Sequence, residues 1–306
     1  MPTRNHWSLF PSNSQADDAI RMILHGGPLK GEAGVISNPN PVPERGGFPG
    51  LVIEIDVNDV AKVDAALLPR IDRVWLHDHH KSVRRLPELI WQLPKLRELT
   101  LTDSRLNAQL FRRGVPKGVE KLEITGSGRY APKGPPNPNV RYLGTLIREF
   151  HPRLSPEMFP ELKGLTIHLG GKSAAKDRRE MWEVIGSFTD LSCLHVEPAD
   201  AELVWSELPS GLSRIKLGNG NLADLSELQN LQGLEFVHLH YLRSMTTLDG
   251  IEEFPELRAV VLTGLDRAVD HTSLLRMPKL EYFNGLRSQC PEICAELEAR
   301  GVTVHA

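Results

Sequence analysis

Histidines are the side chains in this sequence best suited to chemistry. They are concentrated at residues 77–80 (HDHH) and 238–240 (HLH). Imidazole nitrogens are good ligands for Zn²⁺ and Ni²⁺, and alternate residues of a strand share one face. His168 and His195 are expected on the same face of earlier strands, so the spacing raises the question of a metal site.

The pattern around these histidines argues against a bound metal. His195 and His238 are expected on strands that are separated by one intervening strand. The distance between these two strands would be about 9.6 Å, which is two strand spacings. Lys216 falls between them, and its ammonium group would repel a cation. We therefore predict surface or partner-contacting histidines, with no metal and no cofactor.

The cysteines also do not form a metal or disulfide framework. Cys290 and Cys294 have the i,i+4 spacing of a helix, but a structural zinc site needs four ligands and there is no second pair. Together with Cys193 they make an odd number, which cannot form a complete set of disulfides. A reducing, cytoplasmic location is the simplest expectation.

No motif for enzymatic chemistry is complete. Nucleophilic catalysis needs Ser or Cys with a base and an orienting acid, and no GxSxG turn is present. Residues 169–173 (LGGKS) end like a phosphate-binding loop but lack its first glycine at the required spacing. We predict no catalytic residues and no enzymatic activity. A metal-dependent or phosphate-loop enzyme is the alternative, carried by the histidines or by residues 169–173.

The charge balance narrows the class of partner. The 306 residues include 36 Lys and Arg against 39 Asp and Glu, a net charge of −3. A binder of nucleic acid or of anionic membrane needs a basic excess. No apolar run reaches the ~18 residues of a membrane span, and the first ten residues do not form a signal-peptide pattern. We therefore predict no nucleic-acid partner and no membrane association.

A repeated pattern, LxxLxL, positions all these side chains. Its successive copies start 21–29 residues apart, except for one interval of 43 that holds a degenerate copy at residues 140–143. This spacing belongs to the class of repeats of 20–29 residues. Strands are expected within about two residues of the start of each copy. The clear copies start at Ile71, Leu96, Val119, Leu162, Leu191, Leu212, Leu234 and Leu257, and a weaker one at Leu280.

These residues resemble the leucine-rich repeat family. An apolar residue followed by Pro precedes several copies, as in Phe159-Pro160 and Phe254-Pro255. Residues 86–90 (LPELI) are similar to the LPxxI segment of bacterial and plant-type members, although the usual inward Asn is replaced. The resemblance implies an α/β fold: a leucine-rich repeat solenoid with a curved parallel β-sheet on its concave face. Turns and short helices would form the convex face.

The repeats also predict the domain organisation. We expect an N-terminal cap over residues 1–70, about nine or ten repeats over 71–286, and a C-terminal cap over 287–306. Insertions are expected near 126–139 and near 168–190, the latter with a helix over residues 173–185. The terminal caps would shield the apolar faces of the end repeats from water.

The side chains between the apolar positions point away from the core and form the predicted binding site. Aromatic, His and Arg side chains there have no role in the repeat core, so they are candidate anchors for a protein partner. The predicted partner-binding residues are Arg73, Trp75, His77, Glu98, Thr100, Lys121, Glu123, His168, His195, Glu197, Arg214, Lys216, Phe236, His238, His240 and Tyr282.

The expected function is non-enzymatic binding of another protein through the concave face, by a chain that is monomeric when unbound. The resemblance implies one specific role, a toxin-neutralising immunity protein. The alternative is a scaffold or specificity subunit of a larger complex. Substitutions in the core, such as Leu217→Ala, are expected to destabilise the fold, whereas His238→Ala should behave as a surface change.

Overall fold

The computed structural model describes residues 35–36, 51–56, 65–77, 85–101, 104–125, 134–147, 154–169, 175–198, 205–265, 269–286 and 289–305. The chain forms two compact units. The first consists mainly of Pro28–Leu165, and the second consists mainly of Thr166–Leu169 and Ala174–Ala306.

The first unit is built on parallel strands that pair in chain order. They are β1 (Val35–Ile36), β2 (Leu51–Asp56), β3 (Ile71–His77), β4 (Glu98–Leu101), β5 (Lys121–Thr125) and β6 (Tyr142–Ile147). The described connections contain 3₁₀ helices at Ala65–Arg70 and Glu88–Trp91 and an α-helix, α1, at Ser104–Arg113.

The second unit repeats this arrangement. Its strands are β7 (Gly164–Leu169), β8 (Cys193–Glu197), β9 (Arg214–Gly218), β10 (Phe236–His240), β11 (Ala259–Thr263), β12 (Tyr282–Asn284) and β13 (Thr303–His305). Of β7, only Thr166–Leu169 belongs to this unit. Each strand from β9 onward is parallel to the one before it. Helices α2 (Ala175–Ser187) and α3 (Pro291–Ala299) and 3₁₀ helices at Trp205–Glu207, Ser226–Leu228, Ile251–Glu253 and Thr272–Arg276 connect the strands.

The predicted strand positions are confirmed. Each strand begins at the third residue of its LxxLxL copy, as β4 does after Leu96 and β9 after Leu212, except that β3 begins at the first residue, Ile71. The degenerate copy at residues 140–143 forms β6 and the weak copy at Leu280 forms β12. In the described parts of residues 71–286 there are therefore ten strands, β3 to β12, as the repeat spacing predicts.

The apolar residues of the repeat form buried rows that cross the strands. In the first unit Val74, Leu99, Leu122 and Leu143 face one another in register and are at most 4% exposed. In the second unit the corresponding row is Leu194, Ile215, Val237, Val260 and Phe283, each 0% exposed. A single repeat cannot bury such a row, so each unit is stabilised by stacking neighbouring repeats.

Helix α1 is a difference from the sequence-based expectation, which placed no helix between β4 and β5. Its buried side chains Leu106, Leu110 and Phe111 are at most 1% exposed, and their spacing is that of one helix face. The predicted helix over residues 173–185 is found as α2, shifted by two residues. Among the described residues, no helix is long and apolar enough to cross a membrane.

Candidate functional site

In the first unit, the predicted site residues other than His77 lie, together with Tyr142 and Gly144, in two rows on the side of β3–β6 away from the core. One row is Arg73, Glu98, Lys121 and Tyr142, and the other is Trp75, Thr100, Glu123 and Gly144. We call this surface, with the seven side chains of the two rows, the first-unit face. The alternation that the sequence predicts is therefore confirmed here, whereas the side chain of His77 lies outside the described residues.

A chain of ion pairs connects the charged residues of the first-unit face. Arg73 Nε lies 3.6 Å from Glu98 Oε1, and Lys121 Nζ lies 3.5 Å from Glu98 Oε2 and 3.4 Å from Glu123 Oε1. Thr100 Oγ1 donates a hydrogen bond of 3.3 Å to Glu123 Oε2. Two cations and two carboxylates thus hold one another in place, and the charge of the face is balanced locally.

Two aromatic side chains accompany these ion pairs. Trp75 is half-buried, and Tyr142 is 38% exposed, which is unusual for a large apolar side chain in this structure. Tyr142 was not among the predicted residues, because its repeat copy is degenerate. The signal that identifies it is its position directly after Lys121 in the row.

In the second unit, the corresponding rows cross β8–β12. One row is Cys193, Arg214, Phe236, Ala259 and Tyr282, and the other is His195, Lys216, His238, Val261 and Asn284. The predicted register is again confirmed, and Arg214 and Lys216 are half-buried.

The predicted exposure of this second surface is wrong. Phe236 is 2% exposed, Tyr282 0% and His238 8%, so these rings are not exposed anchors. Parallel strands are only about 4.8 Å apart, so large side chains in one row cover one another. The Tyr282 ring, for example, lies 5.5 Å from the His305 ring between centroids.

The main feature of the second unit is a group of four side chains that we call the imidazole cluster: His168, His195, Glu197 and His240. His168 Nδ1 lies 3.0 Å from Glu197 Oε2, and His195 Nε2 lies 3.0 Å from Glu197 Oε1. His240 Nε2 contacts that same oxygen, Oε1. All four residues are at most 9% exposed, so three imidazole rings surround one buried carboxylate.

This cluster corrects the pairing of histidines expected from the sequence. His195 was paired with His238, but His238 Nε2 is instead 3.2 Å from Thr263 Oγ1. Within the described residues, His168, His195 and Glu197 offer ligand atoms that all lie within 4.8 Å of one another. The sequence predicted each of these residues as a contact for a partner, and it did not bring them together as one site.

Gly218 makes room for the cluster. It lies on β9 directly opposite His240 on β10, and the residue before it, Leu217, pairs with Val196 on β8. A Cβ atom at position 218 would lie 1.9 Å from His240 Nε2. The missing side chain therefore lets the His240 ring extend across β9 toward Glu197.

Burial and hydrogen bonding set the charge states in the cluster. Burial lowers the pKa of His195 from 6.5 to about 3, and the nearby Lys216 adds to this effect while Glu197 opposes it. Burial alone would raise the pKa of Glu197, but hydrogen bonds from His168 and His195 outweigh burial and lower that pKa. At neutral pH the cluster therefore combines a carboxylate with a neutral His195.

Acid should destabilise the fold through His195. Its folded-state pKa of about 3 lies below the ordinary value of 6.5, so between these values the unfolded chain binds a proton that the folded chain does not. His168, Glu197 and Lys216 surround the ring, and only Glu197 favours its protonation. We expect the contribution of His195 to the free energy of unfolding to be fully present above about pH 7 and to fall as the pH drops through 6.5.

Urea unfolding at pH 7.5 and pH 5.5 measures this effect. The decrease in the wild type should exceed that in His195→Gln by about 1 kcal/mol. The exposed His305 provides a matched control. Between pH 7.5 and pH 5.5, the free energy of unfolding of His305→Gln should decrease by as much as that of the wild type. An equal decrease in His195→Gln would show that His195 does not titrate in this way.

Comparison with known proteins gives distant similarities to solved structures. An internalin (inlF) from Listeria monocytogenes is 13% identical, with 76% of this chain and 78% of that chain covered and a TM-score of 0.38. Internalin C2 (inlC2) from the same species is 15% identical, with 72% and 85% covered and a TM-score of 0.34.

The third structure is that of the TLR13–ssRNA13 complex, at 17% identity and a TM-score of 0.42. It matches 77% of this chain, but only 32% of the TLR13 chain. With TM-scores this low, nothing about the binding partner follows from these structures. No protein-family model and no curated protein matches the sequence. The parallel strands in chain order and the buried rows of this chain themselves define its fold, which is a leucine-rich repeat solenoid.

Proposed function

We propose that this protein is a non-enzymatic binding module that recognises another protein through the first-unit face. The observation that carries the proposal is the accessible pair of aromatic side chains, Trp75 and Tyr142, on strands whose apolar residues already fill the core. Aromatic and Arg side chains are enriched among the residues that dominate protein interfaces. Trp75 and Arg73 lie on β3 and Tyr142 lies on β6, all on one face.

The ion pairs on this face favour rigid recognition. Because Arg73, Glu98 and Lys121 hold one another in position, less side-chain entropy is lost when a partner binds. The face also carries as many carboxylates as cations, which disfavours a phosphate backbone and favours a protein with its own alternating charges.

The experiment compares immobilised full-length variants in extracts of the source cells. Trp75→Ala removes the aromatic side chain at the β3 end of the face, whereas Gln92→Ala changes an exposed residue in the connection between β3 and β4. A protein retained by the wild type and by Gln92→Ala, but lost from Trp75→Ala, supports the proposal. A partner retained equally by all three excludes the first-unit face as its binding site.

We propose a more specific role as well, that of a cytoplasmic immunity protein whose partner is a toxin. The support is the resemblance of the repeats and the absence of a disulfide at Cys193, Cys290 and Cys294, which fits a reducing compartment. Expression of the captured partner alone should then arrest growth, and co-expression of this chain should restore it. Capture of a stable complex of several subunits, without toxicity, favours a scaffold or specificity subunit instead.

The chain termini complete the proposal. We propose that residues 1–70 and 287–306 cap the repeats and that the unbound chain is a monomer. In the C-terminal segment, α3 and β13 follow the last repeat strand, β12. A single species of 34.2 kDa by light scattering is the expected result for the purified protein.

A further inference from the structure

The imidazole cluster carries a second inference, which does not depend on the partner. Three imidazole nitrogens and a carboxylate, from three strands of one unit, converge on one buried point. We propose that His168, His195, Glu197 and His240 bind one divalent transition-metal ion of the Zn²⁺ type. The donors are Nδ1 of His168, Nε2 of His195, a carboxylate oxygen of Glu197 and Nε2 of His240.

Hydrogen bonding alone does not account for the cluster. Oε1 of Glu197 is contacted by nitrogens from both His195 and His240. The buried Nε2 atom of His240 contacts that oxygen without the geometry of a hydrogen bond, and a buried polar atom left without a hydrogen bond destabilises the fold. A cation among the four donors would pair with that nitrogen and with the carboxylate together.

The glycine at position 218 is an independent observation in favour of the site. Elsewhere on β9 the residues of the non-core rows are Arg214 and Lys216, which are large. Only at Gly218 can the His240 ring extend across β9, because a Cβ atom there would overlap the ring. Gly218 thus lies at the position where a larger residue would prevent His240, the third imidazole, from contacting Glu197.

Lys216 does not block this site in the way the sequence suggested. It shares a row with His195 and His238, whereas Glu197 and His240 lie beyond that row, on either side of Gly218.

The donor set indicates the class of metal and its role. Imidazole suits Zn²⁺, Cu²⁺, Ni²⁺ and Fe²⁺, whereas Mg²⁺ and Ca²⁺ prefer oxygen ligands. Four protein donors complete the tetrahedral shell of a structural zinc site and leave no position for a substrate. The ion would therefore connect β7, β8 and β10 and stabilise the second unit, without catalysis.

The test is a Zn²⁺ titration of the chelator-stripped full-length protein, in competition with a chromophoric chelator. The wild type should bind one Zn²⁺ per chain, and His305→Ala should bind it equally well. Removal of a ligand in His195→Ala or Glu197→Gln should weaken binding by about 100-fold or more, since even residues behind the ligands often contribute 10–100-fold. Gly218→Ala, which keeps all four ligands, should also weaken binding.

Circular dichroism identifies any variant that does not fold. If His195→Ala does not fold, the test relies on Glu197→Gln, because glutamine has nearly the same shape as glutamate. Co²⁺ gives a second readout: the wild type should show the strong visible absorption of tetrahedral Co²⁺, and Glu197→Gln should not. A wild type that binds no Zn²⁺ at micromolar concentrations would overturn the proposal. So would His195→Ala and Glu197→Gln variants that are folded and bind Zn²⁺ as tightly as the wild type.

Discussion

Leu217→Ala should lower the free energy of unfolding by about 2–5 kcal/mol, which is the range for large-to-small changes in a packed core. Leu217 is 0% exposed and lies in register with Val196 and Leu239 on the neighbouring strands. Truncation leaves a cavity in a row whose backbone is fixed by strands on both sides, so the neighbours cannot close it completely.

Urea or thermal unfolding measures this loss. Ser210→Ala provides the control, because Ser210 is exposed in the connection between β8 and β9 and surface changes usually stay within about ±0.5 kcal/mol. If Leu217→Ala were as stable as Ser210→Ala, Leu217 would not be part of the core and the assigned rows would be incorrect.

Trp75→Ala should weaken partner binding by about 2 kcal/mol or more, which is close to a 30-fold increase in Kd. Trp75 lies on β3, on the same side of the strand as Arg73 and opposite to the core residue Val74, and it faces Thr100 on β4. Together with Tyr142, its large ring offers the partner apolar area on a face whose other side chains are charged or polar. The core rows of β3 and β4 do not include it, so the variant should remain folded.

The measurement is a titration of purified partner by calorimetry or by surface plasmon resonance. Tyr142→Ala should also weaken binding, because Tyr142 is the exposed aromatic residue at the other end of the face. Gln92→Ala should bind like the wild type. If Trp75→Ala and Tyr142→Ala both kept the wild-type Kd, the first-unit face would not be the site of binding.

The sequence was sufficient to predict the strands and the rows they carry. Spacing alone located β3 to β12, because LxxLxL places its apolar residues at fixed positions on a strand that must stack on its neighbours. Helix α1 was missed even though Leu106, Leu110 and Phe111 have helical spacing. Three apolar residues are too short a pattern to predict a helix with certainty. The repeat period had also already assigned this segment to the connection between two strands.

Exposure and contacts between strands could not be predicted in the same way. His238 was expected on the surface, but it is 8% exposed and bonded to Thr263, so His238→Ala now has an expected cost above that of a surface change. The imidazole cluster was missed because it depends on Gly218, whose missing side chain lets a ring extend across a strand. Row assignments show which residues are neighbours, but they do not show where a long side chain ends.

The partner is expected to lie against the first-unit face, and photo-crosslinking can locate it there. A photoreactive phenylalanine derivative is placed at Tyr142, an exposed aromatic position, or at Gln92 as the control. The bound partner should be crosslinked from position 142 and not from position 92. Crosslinking from position 92 alone would show that the partner does not bind at the first-unit face.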